Sequence, residues 1–238
     1  FQTLEKSRLP VAFELEADRM RNLVLDPAEF AKEVRVVMEE RRLRTDDQPE
    51  ALAYEKFMNT AYRVHSYKNP IIGWMRDLEK MTVADVRAWY RRWYVPNNAT
   101  LVVAGDVEPR AVVALARQYF GPIPAGRVER THIPAEPPQI APRRSTLKAP
   151  AQVPNLIIGY HVPAYGHAAE AWEPYALMVL NGILGGGNSS RFQRELVRGT
   201  AVASGIASGY NAAARHPGLF PINGTPVNGP TVRKLEAA

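Results

Sequence analysis

The sequence predicts an α+β fold made of two helix-rich segments that also contain strands. Two observations lead to this prediction. Long stretches repeat apolar residues with the helical period, and several of them begin at residues that favour helix starts. Eight prolines fall between Gly121 and Pro154, which is typical of an extended connector. We therefore expect a domain over residues 1–130, a linker over 131–150 and a second domain over 151–238.

Helices dominate the first segment. Asp26 is a favourable N-cap, Pro27 suits the first helical position and Glu29 the third, which predicts a helix over residues 27–44. Other periodic stretches predict helices over residues 9–25, 49–63, 82–94 and 108–120. The helix at 82–94 opens with Thr82 followed by Asp85, the spacing of a capping box.

Strand patterns occur in both segments. The run NATLVVAGDV, at residues 98–107, has the apolar character of a buried strand that ends in a turn. In the second segment, residues 155–164 and 203–212 have strand patterns as well. Helices are expected over residues 173–187, 189–199 and 230–238. The predicted architecture is an antiparallel-rich sheet with helices packed on it.

Composition and charge exclude several classes of protein. Hydrophobic residues make up 46% of the chain and charged residues 23%, as in ordinary globular proteins. We expect no membrane span, because no apolar run approaches the ~18 residues that one requires. The net charge is +6, but the basic residues are interleaved with apolar ones, which favours solvated helix faces over a nucleic-acid surface. The absence of cysteine excludes disulfides and thiolate ligands.

The predicted helix over residues 27–44 carries two glutamates on its apolar side. At 100° per residue one broad face contains residues 30, 33, 34, 37, 40, 41 and 44. Glu33 and Glu40 therefore share a face with Phe30, Val34 and Val37. A buried carboxylate needs a charge partner, hydrogen bonds or a metal ion. From periodicity alone the face can also be only half buried, with Arg41 or Arg44 neutralising Glu40 in a structural role.

Three stretches of the sequence resemble the pitrilysin/insulinase family of zinc metallopeptidases. They are RMRNLVLDPAEFAKEVRVVMEERRLRTDDQP, YVPNNATLVVAGDV and PYALMVLNGILGGGNSSRFQREL. The resemblance covers nearly the whole chain and is closest to bacterial members that are similar to the mitochondrial processing peptidase. It implies two related α+β peptidase domains. It leaves open whether the protein acts in the bacterial periplasm or in the cytoplasm.

The resemblance assigns roles to both glutamates. In this family an inverted H-x-x-E-H motif and a glutamate on a later helix hold the zinc ion, and the glutamate of the motif is the general base. Glu40 matches the later-helix ligand, and Glu33, seven residues earlier, matches the glutamate that supports the site. The implied activity is endopeptidase cleavage of peptides or unfolded proteins by zinc-activated water.

The sequence departs from the family pattern by lacking the H-x-x-E-H motif. None of its five histidines has a second histidine four residues away. We expect the motif, and with it the general base, upstream of Phe1, so that both domains are truncated. The chain by itself is then expected to be inactive.

A second departure concerns substrate binding. Family members that grip the substrate carry an arginine and, seven residues later, a tyrosine, at places occupied here by Val197 and Ser204. Arg198 is one residue away from the first of these places. We therefore expect a metal-bearing chain that forms a homodimer or heterodimer with a chain that supplies the arginine and tyrosine. The alternative is an inactive scaffold subunit of the same family, for which Glu33 and Glu40 would serve no purpose.

Overall fold

A computed structural model describes residues 1–129, 131–227 and 232–238. In these ranges the chain forms eight α-helices and three β-strands. The helices are α1 (Leu9–Asn22), α2 (Pro27–Arg41), α3 (Pro49–Ala61), α4 (Met75–Leu78), α5 (Val83–Trp93), α6 (Pro109–Tyr119), α7 (Glu173–Gly185) and α8 (Val232–Ala237). The strands are β1 (Leu156–Val162), β2 (Ala203–Ser208) and β3 (Gly218–Pro226).

The chain divides into two compact units. Unit 1 contains residues 1–42 and 71–133, and unit 2 contains residues 43–70 and 134–238. All three strands lie in unit 2. The boundaries expected from the sequence, at 130 and 151, stay a prediction. None of the helices in the described part of the chain has the length and apolar character that crossing a bilayer requires.

Capping chemistry determines where two helices of unit 1 begin. The Asp26 carboxylate accepts hydrogen bonds from the backbone N–H groups of Ala28 and Glu29, at 2.8 and 2.9 Å. Thr82 and Asp85 form the reciprocal capping box at the start of α5. Both predicted helix starts are thus confirmed, because these side chains satisfy N–H groups that have no partner within the helix.

The predicted strand over residues 98–107 is wrong. Apart from a short 3-10 turn at Pro96–Asn98, this stretch has no regular structure, and the Val102 side chain is 80% exposed. A strand needs a neighbouring backbone to take its hydrogen bonds. No strand is available to it among the described residues of unit 1. Its apolar side chains instead line a groove beside α6, with Leu101, Val103, Val107, Val112 and Ala116.

Unit 2 contains a three-stranded antiparallel sheet in the order β1-β3-β2. The strands predicted over residues 155–164 and 203–212 are confirmed as β1 and β2. The central strand, β3, was not predicted, because Gly218, Pro221, Gly224 and Pro226 are residues that strands normally avoid. The antiparallel sheet with many helices confirms the predicted α+β class.

A small apolar core holds the end of the chain to this sheet. Val202, Ala203 and Leu235 are buried together, with Leu196 and Val197 packed against them. The helix predicted over residues 189–199 forms as a π-helical segment, Phe192–Gly199. The last predicted helix is α8, which begins at Val232, and residues 230 and 231 lie outside the described ranges.

Candidate metal-ligating site

Helix α2 presents the two glutamates in different environments. Glu33 is exposed, whereas Glu40, two turns later, is half-buried. The apolar positions between and before them, Phe30, Val34 and Val37, are half-buried as well. The predicted stripe therefore exists, and Glu40 is the carboxylate on it that is partly withdrawn from water.

Arg41 anchors the end of α2 that carries Glu40. This arginine is only 4% exposed, and its Nη1 donates to the Gly73 carbonyl at 2.8 Å. Its guanidinium group also lies 6.0 Å from the centre of the Trp74 ring, within the range of a cation–π contact. The last turn of α2 is thereby tied to the segment that leads into α4, which restricts how Glu40 can move.

Two other glutamates of α2 are paired on the helix surface. Glu29 meets Lys32, and Glu39 meets Arg42, both at 2.7 Å between charged atoms and three residues apart. All four side chains are largely exposed, and such pairs contribute at most about 1 kcal/mol to stability. Glu29 and Glu39 are therefore solvated surface residues, which makes them suitable controls for Glu33 and Glu40.

The residues described do not make a zinc site by themselves. Over residues 1–129, 131–227 and 232–238 there is no grouping of three or more His, Cys, Asp or Glu side chains that could hold a metal ion. A catalytic zinc site needs three protein ligands. Glu40 has the donor chemistry of one such ligand, so a complete site requires two further ligands from elsewhere.

Three of the four histidines of unit 2 use a ring nitrogen in a hydrogen bond. Nε2 of His161 faces the Ala61 carbonyl at 3.0 Å, and Nε2 of His167 faces the Arg215 carbonyl at 2.9 Å. A carbonyl oxygen only accepts, so each of these nitrogens carries a proton and cannot bind a metal. His65 is buried, and its Nδ1 accepts the backbone N–H of Tyr67 at 3.1 Å.

Glu136 organises the backbone next to His65. Its carboxylate accepts the N–H groups of Arg63, Val64 and His65, at 2.7, 3.0 and 3.1 Å, and lies 3.7 Å from Arg143. Burial alone would raise the pKa of Glu136, but the three N–H donors and Arg143 outweigh it and hold the pKa below its usual range. This role could not be predicted from the sequence, because charged residues in a proline-rich stretch normally face water.

The positions expected to hold the substrate-gripping pair have structural contacts. Val197 packs against the core of unit 2. The Ser204 hydroxyl donates to the carbonyl of Thr225 at 3.2 Å. Arg198 is exposed, and its Nη2 donates to the carbonyl of Asn188 at 2.7 Å. The Val197 side chain has no hydrogen-bond donor, and the Ser204 hydroxyl is short and already donates to Thr225.

Comparison with known proteins identifies a protein family that matches most of the chain. A family model described as "Peptidase M16 inactive domain" matches residues 80–238. The match begins after α2, so Glu33 and Glu40 lie outside the matched region.

Similar proteins are found among curated sequences and solved structures. The chain is 35% identical over 209 residues to the zinc protease PqqE of Helicobacter pylori, an alignment that covers 86% of this chain and 46% of that protein. The crystal structure of a protease from Helicobacter pylori superposes with a TM-score of 0.83 at 31% identity, over 98% of this chain and 56% of that one. The crystal structure of pitrilysin has the same fold, with a TM-score of 0.66 at 14% identity, over 98% of this chain and 25% of that one. The chain thus spans about half the length of the curated relatives it matches.

Proposed function

Because the chain belongs to the peptidase M16 family, we propose that the protein carrying it is a zinc-dependent endopeptidase to which this chain contributes Glu40 as a metal ligand. The observation that carries the proposal is the position of Glu40. It is half-buried on an apolar helix face, next to the buried anchor Arg41, in a chain similar to a protein named a zinc protease.

The remaining ligands and the general base are proposed to come from outside this sequence. The chain has no H-x-x-E-H motif, and Glu40 is a single ligand. A zinc ion held by three protein ligands supplies an activated water and polarises the carbonyl to be cleaved. The contribution of this chain is to hold the Glu40 carboxylate at the end of an anchored helix.

We further propose that substrate binding requires a second chain. The resemblance to the family predicts an arginine and a tyrosine at the places of Val197 and Ser204, and both of these residues are engaged within unit 2. The substrates we expect are peptides or unfolded protein segments. The protein would then be the metal-bearing chain of a two-chain peptidase whose partner supplies the arginine and tyrosine.

Chelation tests the proposed activity. The full-length protein, alone and mixed with any chain that copurifies with it, is assayed on a quenched fluorescent peptide library. We expect 1,10-phenanthroline to lower the cleavage rate by at least about a hundredfold, because the metal supplies the nucleophile. Removal of the chelator and addition of one equivalent of Zn²⁺ should restore the rate. Cleavage that survives chelation would exclude a metallopeptidase. The absence of cleavage in every mixture would favour an inactive scaffold, which agrees with the match to the inactive domain.

Glu33→Gln is expected to weaken Zn²⁺ binding without abolishing it. A carboxylate that supports a ligand without touching the metal typically changes metal affinity by about 10–100-fold when it is replaced. We therefore expect Zn²⁺ affinity, measured by competition with a chromogenic chelator, to fall within that range. Glu29→Gln, one turn earlier on the same helix, is the matched control and should bind Zn²⁺ like the wild type. If the Glu33 and Glu29 variants bound Zn²⁺ with equal affinity, Glu33 would have no role in the proposed site.

A further inference from the structure

His65 holds a short turn of unit 2 in place. Its side chain is 4% exposed, and Nδ1 accepts the N–H of Tyr67, which caps the 3-10 turn Ser66–Lys68. The His65 carbonyl accepts the N–H of Lys68 at 3.2 Å. The side-chain cap of this turn therefore depends on an unprotonated Nδ1.

The hydrogen bond to Tyr67 fixes the protonation state of this imidazole. A neutral histidine has one donor and one acceptor nitrogen, so Nε2 carries the proton when Nδ1 accepts. Nε2 of His65 is buried, with no hydrogen-bond partner in the described residues. An imidazolium donates from both nitrogens. When His65 is protonated, Nδ1 carries its own proton and can no longer accept from Tyr67. The N–H groups of Nδ1 and Tyr67 then face each other, and the cap is lost.

The same turn holds a second histidine. The Tyr67 hydroxyl accepts the backbone N–H of His216 at 3.2 Å. The rings of His65 and His216 are 5.1 Å apart, and those of His216 and His167 are 5.6 Å apart. Nε2 of His216 is also buried, without a hydrogen-bond partner in the ranges described. We call His65, Tyr67, His167 and His216 the histidine cluster.

Charged and titratable neighbours act on His65 in opposite directions. Burial lowers the pKa of His65, the adjacent imidazole of His216 lowers it further, and the Glu136 carboxylate raises it by a smaller amount. Glu136 is already engaged by three backbone N–H groups and Arg143, so it is poorly placed to neutralise the ring. Tyr62 lies 5.7 Å away, and burial raises the pKa of its phenol, which keeps it uncharged.

We propose that the histidine cluster is an acid-sensitive latch, in which neutral His65 keeps the loop at residues 211–217 attached to the turn at Ser66–Lys68 and protonated His65 releases it. Protonation removes the acceptor of the Tyr67 N–H, and the turn opens. The Tyr67 hydroxyl then leaves the His216 N–H, so the loop loses its bond to the turn. The proposal does not depend on zinc or on peptidase activity.

The direction of the pH dependence follows from the lowered pKa. In the unfolded chain a histidine titrates near 6.5. Because the folded state binds the proton less readily, the contribution of His65 to stability is complete above about pH 6.5. It is lost as the pH falls from there towards the lowered pKa of the folded state. The latch is therefore closed at neutral pH and opens in mild acid.

Hydrogen exchange of the full-length protein between pH 7.5 and 5.0 tests the latch. The readout is the protection factor, which removes the intrinsic pH dependence of exchange. For the amides of Tyr67 and His216 we expect it to fall by up to about tenfold per pH unit below pH 6.5. His65→Asn retains an oxygen that can accept the Tyr67 N–H but has no proton to gain, so its protection should stay level. His132→Asn, which changes an exposed histidine in unit 1, should behave as the wild type.

Two results would overturn the latch. One is a loss of Tyr67 protection in acid that is equal in the wild type and His65→Asn. The other is level protection in the wild type down to pH 5.0. If His65→Asn does not fold, His216→Phe replaces it as the test variant. Without the second imidazole, His65 should protonate more easily. The loss of Tyr67 protection should then begin at a higher pH than in the wild type. An unchanged or lower onset in His216→Phe would also contradict the proposal.

Discussion

Glu40→Gln is expected to lower the peptidase activity of the full-length protein by at least about a hundredfold. The substitution keeps the size of the side chain but replaces a charged oxygen donor by a neutral amide, which is a poor zinc ligand. The fold should survive, because Glu40 is only half-buried and the buried anchor at this end of α2 is Arg41. The measurement is kcat/KM on a cleaved peptide, with circular dichroism to verify folding.

Glu39→Gln is the matched control for this result. Glu39 precedes Glu40 on the same helix turn, is exposed and pairs only weakly with Arg42. The activity of Glu39→Gln should stay within about twofold of the wild type, because exposed ion pairs of this kind contribute little to stability. Equal losses in the two variants would mean that negative charge on the helix matters and that Glu40 has no special role.

Glu136→Gln is expected to destabilise unit 2 by about 2–3 kcal/mol at pH 7. The amide can accept fewer of the three N–H bonds, and its own NH2 group meets backbone donors. The substitution also removes the negative charge of Glu136, which lies 3.7 Å from Arg143. Protection of the Arg63, Val64 and His65 amides against hydrogen exchange should fall first, because these are the groups that Glu136 binds.

The pH dependence of Glu136 provides an independent check. Its pKa is lowered in the folded state, so its contribution to stability is present above the usual carboxyl pKa of about 4.3 and is lost as the pH falls through the folded value. The difference in stability between wild type and Glu136→Gln should therefore shrink in acid. Glu129→Gln, which changes an exposed residue paired with Arg127, should cost no more than about 0.5 kcal/mol at any pH. A constant difference down to pH 3 would contradict the role of the Glu136 charge.

Local chemistry explains what the sequence could predict. The starts of α2 and α5 depend on Asp26, Thr82 and Asp85, whose partners are at most three residues away. The sites of such caps are visible in a single sequence. Strand β1 has the apolar and β-branched residues that strands favour, whereas β2 has only Ile206 of this kind. For Glu40, periodicity predicted the face of α2, and the resemblance to a family supplied the role.

Features that depend on distant residues could not be predicted. Strand β3 contains two prolines and two glycines, and it forms because β1 and β2 offer it hydrogen bonds on both sides. The apolar run at residues 98–107 has no such neighbour in the described part of unit 1 and stays irregular. Glu136 reaches backbone groups about 70 residues away in sequence, at Arg63, Val64 and His65, and nothing local to it indicates that contact.

The central claim is that Glu40 is a zinc ligand of the longer protein, and metal content tests it most directly. Full-length wild type and Glu40→Gln would be purified side by side without added metal or chelator and examined by elemental analysis. We expect about one zinc ion per protein in the wild type and a loss of most of it in the variant. No zinc in the wild type, or equal zinc in both proteins, would contradict the claim. Glu40 would then be a structural residue of α2.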